Sequence, residues 1–348
     1  RQFRSHNFSF TEPWLGGKKR NPFTISYYNT NSANPYDPTT GQYNRDYADT
    51  SYIKTIGFSV SLGKQLKWPD DYFSLVYQLN YQQYQLRKYN IFPGLENGTS
   101  NNISFKITFA RSSAGPNPIF PTMGSNFIFS TELTPPYSLL RNQKPLEAAD
   151  EYKWIEYHKE RFTAQWYVPI GQARGPDKDK QFVLYAAAKY GFIGKYAASA
   201  PASPFGRFQL GDAGLSNNYG LLGYDIIAQR GYPVYDNSNP KINPDLTQAT
   251  NFFTIFNKYP LEMRYPFSTS ASSTIYGLAF FEAANGWFSF QNYNPFQLRR
   301  SVGLGARFFL PMFGLLGFDY GIGLDRITPG AGLKGAGKFT FMLGQEPE

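Results

Sequence analysis

The chain has 348 residues, 34 Lys and Arg against 25 Asp and Glu for a net charge of +9, 18% aromatic residues and no cysteine. The missing cysteines exclude a disulfide framework and thiolate metal sites. The longest apolar run, Phe308 to Phe318, is short and broken by Pro311 and glycines, which excludes a membrane-spanning helix but not a membrane-spanning barrel.

The basic residues are scattered, with Lys18–Lys19–Arg20 the one cluster, a distribution that suits solvated turns and lumen positions rather than a nucleic-acid patch. No signal peptide opens the chain. A strand pattern begins within a few residues of Arg1, so the chain reads as part of a longer precursor.

From the first residues onward the pattern has period two. Phe58, Val60 and Leu62 alternate with Ser59, Ser61 and Gly63, and Phe73, Leu75, Tyr77, Leu79 and Tyr81 alternate mostly with polar residues. Phe105, Ile107 and Phe109 alternate with Lys106 and Thr108; Val302, Leu304, Ala306 and Phe308 face away from Ser301, Gly303, Gly305 and Arg307. Such alternation builds one apolar and one polar face. It predicts about 13 strands, near 4–13, 22–31, 51–64, 71–89, 101–112, 123–134, 151–169, 181–195, 251–267, 273–284, 299–310, 314–326 and 335–345.

No stretch reads as an amphipathic helix. Many strands exceed the roughly 5–6 residues usual in soluble sheets and match the 9–11 of tilted membrane strands. The predicted gaps alternate long and short, the habit of outer-membrane barrels, whose long loops are extracellular. The expected fold is therefore all-β, a transmembrane antiparallel β-barrel. Trp14, Trp68, Trp166 and Trp287 then read as interfacial girdle residues, the alternative being the core of a soluble sheet. The longest gap, 196–250, lies on the long-loop side and carries "GYDIIAQRGYPVYDNSNP" (Gly223–Pro240).

Charged residues on strand faces point to the lumen, because a basic side chain facing lipid at the midplane costs about 2–4 kcal/mol. In "KYPLEMRYPF" Glu262 and Arg264 share one face, and in "YGLAFFEAANGW" Glu282 shares a face with Phe280. Arg230 in the long loop is a candidate partner for these acids if the loop folds inward, through charge-assisted bonds. The residues alone leave this open against an Arg230 in solvent.

Enzyme signatures are weak. His6 and His158 are the two histidines, and neither H-E-x-x-H nor G-x-S-x-G occurs. His158 reads as a strand-surface residue rather than a base, and Glu156 and Glu160 form an acid pair without a nucleophile. "GAGLKG" (Gly330–Gly335) spells the dinucleotide motif but lacks a following helix. Asn97 and Asn102 head chance glycosylation triplets. Nothing here calls for a cofactor or a metal.

Several segments resemble the BamA family of outer-membrane protein assembly factors. "YDIIAQRGYP" (Tyr224–Pro233) resembles the Arg-Gly-aromatic tip of the family's sixth extracellular loop. "PLEMRYP" (Pro260–Pro266) resembles the following strand with its acid at Glu262, and "FFEAANGW" (Phe280–Trp287) the strand with an aromatic-x-acid pair, here Phe280 and Glu282. "SVGLGARFFLPMFGLLGFDYG" (Ser301–Gly321) resembles the penultimate hairpin and "FTFMLG" (Phe339–Gly344) the terminal strand. "FTEPWLGG" (Phe10–Gly17) and "PTMGSNFIFSTEL" (Pro121–Leu133) also match in place.

The resemblance covers the whole chain. It implies a barrel of about 16 strands, with this chain starting at about the fourth, as a C-terminal domain, 1–348, that is incomplete at its N-terminus. The 196–250 loop would fold into the lumen and dock Arg230, Gly231 and Tyr232 on Glu262, Phe280 and Glu282. The implied activity is insertion of other barrel proteins by strand templating at a lateral seam. The implied partners are unfolded outer-membrane clients, accessory lipoproteins, and outer-membrane lipid with lipopolysaccharide; nucleic acid is not among them. The chain departs from the family at "LGQEPE", where Pro347 and Glu348 replace a terminal aromatic, and at Glu282, where relatives often carry Asp. Two other readings stand beside this one: a protein-secretion pore of the same superfamily and a passive porin-like channel.

Overall fold

Fifteen strands follow one another in the computed structural model, which describes residues 3–17, 21–33, 50–89, 95–140, 151–174, 180–211, 223–233, 253–270, 273–312, 314–327, 330 and 332–343. The Lys18–Arg20 cluster, Pro347–Glu348, and 212–222 and 234–252 of the long loop lie outside the described residues. The strands are β1 (Phe3–Glu12), β2 (Phe23–Ala33), β3 (Tyr52–Gln65), β4 (Phe73–Arg87), β5 (Gly98–Ser112), β6 (Gly124–Leu133), β7 (His158–Arg174) and β8 (Lys180–Gly194). After them come β9 (Phe208–Leu210), β10 (Asp225–Ile227), β11 (Ile255–Ser270), β12 (Ser273–Trp287), β13 (Arg299–Leu310), β14 (Gly314–Gly323) and β15 (Gly337–Leu343).

Thirteen of these form one sheet in the order β1 to β8, then β11 to β15, and every neighbouring pair is antiparallel. The fold is the all-β transmembrane barrel sheet expected from the period-two pattern, and the strand count agrees with it. β9 and β10 are a separate parallel pair inside the long loop. Among the described residues no helix is long and apolar enough to cross a membrane.

Most boundaries fall within a few residues of expectation, with one clear exception. β7 begins at His158, not near 151, because the preceding residues work in a loop stem. There Glu156 accepts bonds from the N–H and Oγ of Ser138, at 2.6 and 2.5 Å, at the start of a short helix, α1 (Tyr137–Leu140), which the alternation did not predict.

The two faces of the sheet separate as the pleat requires. On β8, Val183, Tyr185, Ala187, Lys189 and Ile193 are buried toward the lumen, and Phe182 is exposed on the outer face. Leu79, Phe105, Phe109, Leu261, Leu304 and Phe318 are likewise exposed outward, with cross-strand ring pairs such as Phe73–Phe109 at 5.3 Å. Trp14, Trp68 and Trp166 are exposed as girdle residues would be. Trp287 departs from that expectation: only 5% exposed, its ring meets Tyr293 edge-on at 4.9 Å under the 288–298 segment.

The core lies inside the barrel. One cluster joins wall residues Tyr84, Ile193 and Phe256 to loop residues Phe205, Phe208 and Ile227. A second gathers Tyr167, Val183, Tyr185, Tyr276 and Phe280 around Phe120. At one end of the strands lie the long connections, including 134–157 and 195–254; at the other lie shorter ones, including 66–72 and 311–313.

Leu304, midway along β13 on the outer face, tests this orientation. Leu304→Arg is expected to lower stability by about 2–4 kcal/mol in lipid, read by denaturant titration of the bilayer-embedded barrel, and Leu304→Val to change it little.

Candidate functional site in the lumen

The long loop enters the barrel in two steps. First, β9 is tied to the wall: Phe208 and Phe253 exchange backbone bonds of 2.9 and 2.8 Å. β10 then runs parallel to β9 and places Asp225 2.7 Å from Lys159 Nζ and 3.2 Å from Arg161 Nη1, both lumen-facing on β7. A polar chamber of about 370 Å³ lies beside this contact, lined by Gln78, Asn80, Gln82, Asn102 and Tyr157 among others. Asn102 is buried there and donates to the Tyr157 hydroxyl at 3.1 Å, so the glycosylation triplet it heads does not face solvent.

Second, the tip reaches the wall of β11, β12 and β14. Arg230 is 4% exposed, Glu262 2% and Glu282 fully buried. The Arg230 backbone N–H donates to Glu282 Oε2 at 2.9 Å, and its Nε and Nη2 donate to Glu282 Oε1 at 2.9 and 2.7 Å. Nη2 also donates to Glu262 Oε1 at 2.5 Å. Beneath the guanidinium lies the Phe280 ring, 3.7 Å from Cζ to centroid, a cation–π contact in a desolvated setting.

Strand parity explains why these groups converge. Pro260 pairs with Glu282 and Glu262 with Phe280 across the β11–β12 ladder, so all four side chains share the lumen face at adjacent heights. The same parity brings further charges to this face. Arg264 donates to Glu262 Oε2 at 2.7 Å, Lys258 Nζ stands 3.6 Å from Glu282 Oε1, and Arg307 grips Asp319 through two bonds of 2.8 and 2.9 Å. Asp319 in turn is 3.9 Å from Arg230 Nη1. Arg230, Lys258, Arg264 and Arg307 thus interleave with Glu262, Glu282 and Asp319. Buried charges are tolerated only when paired and hydrogen-bonded in this way.

Gly231 adopts φ +82°, and a Cβ there would stand 2.9 Å from the Gly323 nitrogen and 3.2 Å from the Gly321 carbonyl carbon. Only glycine meets both demands, the left-handed backbone and the close approach to β14. Arg326 Nη1 donates to the Gly231 carbonyl at 2.8 Å. Tyr232 is fully buried, its hydroxyl 3.0 Å from the Arg300 carbonyl and 3.0 Å from Asp325 Oδ2. Burial, reinforced by the Asp325 charge, pushes the phenol well above its ordinary range. Burial pushes the Asp325 carboxyl up as well, yet bonds from Arg300 and Tyr232 outweigh it and hold the group below its usual value.

The structure thus brings together Arg230, Gly231, Tyr232, Glu262, Phe280 and Glu282. It does not bring together the acids weighed as an enzyme pair: Glu156 serves α1, and Glu160 lies 3.0 Å from His158 Nδ1. Gly332–Gly335 precede a strand, β15; Ala331 lies outside the described residues. Among the described residues no cluster of three or more His, Cys, Asp or Glu could hold a metal.

Arg230→Ala is expected to remove about 3–5 kcal/mol, the cost of leaving buried partners uncompensated, seen as a lower temperature for loss of the heat-modifiable folded band. Gly231→Ala is expected to give a similar band shift through backbone conflict alone. The Asp225 anchor carries a pH signature. Burial alone would raise its carboxyl, but Lys159 and Arg161 outweigh it and hold the group below its ordinary value. A depressed folded value contributes stability above the unfolded value and loses it as pH falls through the folded one. Loop protection, read by intrinsic-rate-corrected hydrogen exchange over 223–232, is therefore expected to stay flat from neutral pH to about pH 4 and to fall below it.

No curated protein matches the chain. Among solved structures, the crystal structure of BamA from Haemophilus ducreyi lacking POTRA domains 1-3 aligns with a TM-score of 0.59 at 16% identity, over 98% of this chain and 61% of that one. CdiB from Acinetobacter baumannii aligns with a TM-score of 0.49 at 11% identity, over 98% of this chain and 50% of that one. The chain therefore spans less than two thirds of each of these two solved chains. The first likeness shows the same fold. The Omp85 superfamily domain matches residues 2–346, and the chain accordingly belongs to the Omp85 superfamily, as a β-barrel of the bacterial outer membrane.

Proposed function

We propose that this barrel assembles and inserts other β-barrel proteins into the outer membrane. The observation that carries the reading is the buried Arg230 tip on Glu282 and Glu262, at the positions where the chain resembles the BamA family. In this reading 196–250 is an extracellular loop that folds into the lumen and holds the wall of β11 to β14 in shape, leaving the far edges of the sheet to work. An incoming client strand pairs with an exposed strand edge by β-augmentation. No covalent chemistry is required, because satisfied strand hydrogen bonds and apolar burial in lipid drive insertion. Partners in this reading are unfolded outer-membrane proteins, accessory lipoproteins and the lipid with its lipopolysaccharide.

Depletion of the full-length protein in its own organism tests the proposal. The expected result is loss of heat-modifiable, folded forms of unrelated barrel proteins, with partial loss when Arg230→Ala replaces the wild type. A porin-like channel would instead give steady large conductance and no assembly defect on depletion, and a secretion pore would lose export of one substrate while other barrels fold normally.

A further inference from the structure

The connection between β5 and β6, residues 113–123, does not stay at the rim. Phe120 is fully buried, its ring centroid 5.0 Å from that of Tyr276 on β12. It belongs to one buried cluster with Tyr167 of β7, Tyr185 of β8 and Leu278 of β12. In the sheet, β7, β8 and β11 separate β6 from β12. A side chain from this turn meets lumen-facing residues of β12 only by reaching across the inside of the barrel.

The turn is built to present that ring. Gly115 and Met123 exchange backbone bonds of 3.0 and 3.2 Å, and the Thr122 N–H donates to the Gly115 carbonyl at 3.0 Å. Asn117 Oδ1 accepts from the N–H groups of Ile119 and Phe120 at 2.8 and 3.3 Å, a side-chain turn that fixes the approach of Phe120. At the hinge, Gly124 has φ +93°, and a Cβ there would lie 2.2 Å from the Ser113 carbonyl oxygen. This connection is on the short-turn end, which in an outer-membrane barrel is periplasmic, opposite the end from which Arg230 enters.

The two intrusions meet in the middle. Tyr167, Tyr185 and Tyr276, which share the buried cluster with Phe120, also surround the Arg264 guanidinium, with Cζ-to-centroid distances of 5.9, 4.0 and 5.9 Å. Arg264 holds one oxygen of Glu262 and Arg230 holds the other. Contacts therefore run unbroken from the periplasmic turn to the extracellular loop through Phe120, Tyr276, Arg264, Glu262 and Arg230.

We propose that residues 113–123 form a periplasmic plug that closes the lumen to ions and small hydrophilic solutes from below and seats Arg264 so that Glu262 faces Arg230. The barrel then carries two plugs in series, one from each end. This inference does not depend on the assembly reading, because it concerns passage through the lumen and not the fate of clients.

Two measurements on the full-length protein test it. In planar bilayers, two barriers in series predict that Phe120→Ala and Arg230→Ala each raise conductance modestly, while the double variant conducts more than the sum of the two. Phe120→Leu in the Arg230→Ala background should bring conductance back toward that of Arg230→Ala alone. Additive conductances, or a double variant no leakier than Arg230→Ala, would overturn the proposal. Because residues 1–348 contain no cysteine, the pair Phe120→Cys and Tyr276→Cys gives a second readout, of the path of the turn itself, at the cost of one of the three rings around Arg264. Thiol cross-linking of the pair in intact cells is expected; no cross-link in a folded, heat-modifiable barrel would sink the plug. A normal client-assembly phenotype beside a leaky double variant would count against the assembly proposal and leave the plug standing.

Discussion

Everything in the lumen is arranged around one guanidinium that has left water. An unpaired Arg in such a place is not tolerated, so the surrounding wall must offer acids at fixed positions and further cations to balance them. Glu282 takes three of its bonds from Arg230, one of them from the backbone, which ties the course of the loop and not only its side chain to the wall. Glu262 then bridges Arg230 to Arg264, and Asp319 is shared between Arg307 and the edge of the Arg230 group. Each acid is held by at least two cations, so no single carboxylate is left with one partner.

The apolar and ionic contacts of the loop do different jobs. Phe205, Phe208, Tyr224 and Ile227 bury themselves against Tyr84, Ile193 and Phe256, which holds the loop base in the barrel without fixing its register. The tip supplies what the base lacks: charge-assisted side-chain bonds and a backbone bond that are satisfied at one position only, with Gly231 packed on the β14 backbone as a steric stop. A wide barrel cannot fill its own interior with wall side chains. Here the connections supply the core that the wall cannot.

The sheet was legible in the sequence because period two is a backbone property that survives in every strand. The acids were legible for the same reason: parity alone puts Glu262 and Glu282 inside. The same reading put Arg307 on a polar face, but nothing in two separate strand patterns says that Gly305 and Asp319 lie opposite each other, which is what sets Arg307 against that acid. β9 and β10 escaped notice because three-residue strands carry no periodicity and owe their form to the docked backbone. Residues 151–157 read as strand because their composition is strand-like, while their polar groups had another task, Glu156 at α1. Phe120 was hidden in a different way. An apolar residue among Pro, Gly and Asn reads as an ordinary turn, and only the three-dimensional path shows that the turn points inward.

That last case bears on how the two ends of the lumen relate. The aromatic cage of Arg264 is built from β7, β8 and β12, and its rings do double duty, meeting the guanidinium and sharing one buried cluster with Phe120, whose ring lies against Tyr276. A close-packed interior responds to a displaced neighbour by discrete rearrangement rather than by gradual yielding. If the Phe120 ring is withdrawn, the tyrosines lose packing on one side, Arg264 gains room to turn from Glu262, and Glu262 is left to Arg230 alone. The charge pattern at the extracellular tip is in this sense supported from the periplasmic side. The support passes through side chains of strands whose backbone ladders need not change, so the wall of the barrel can stay intact while its interior is reset.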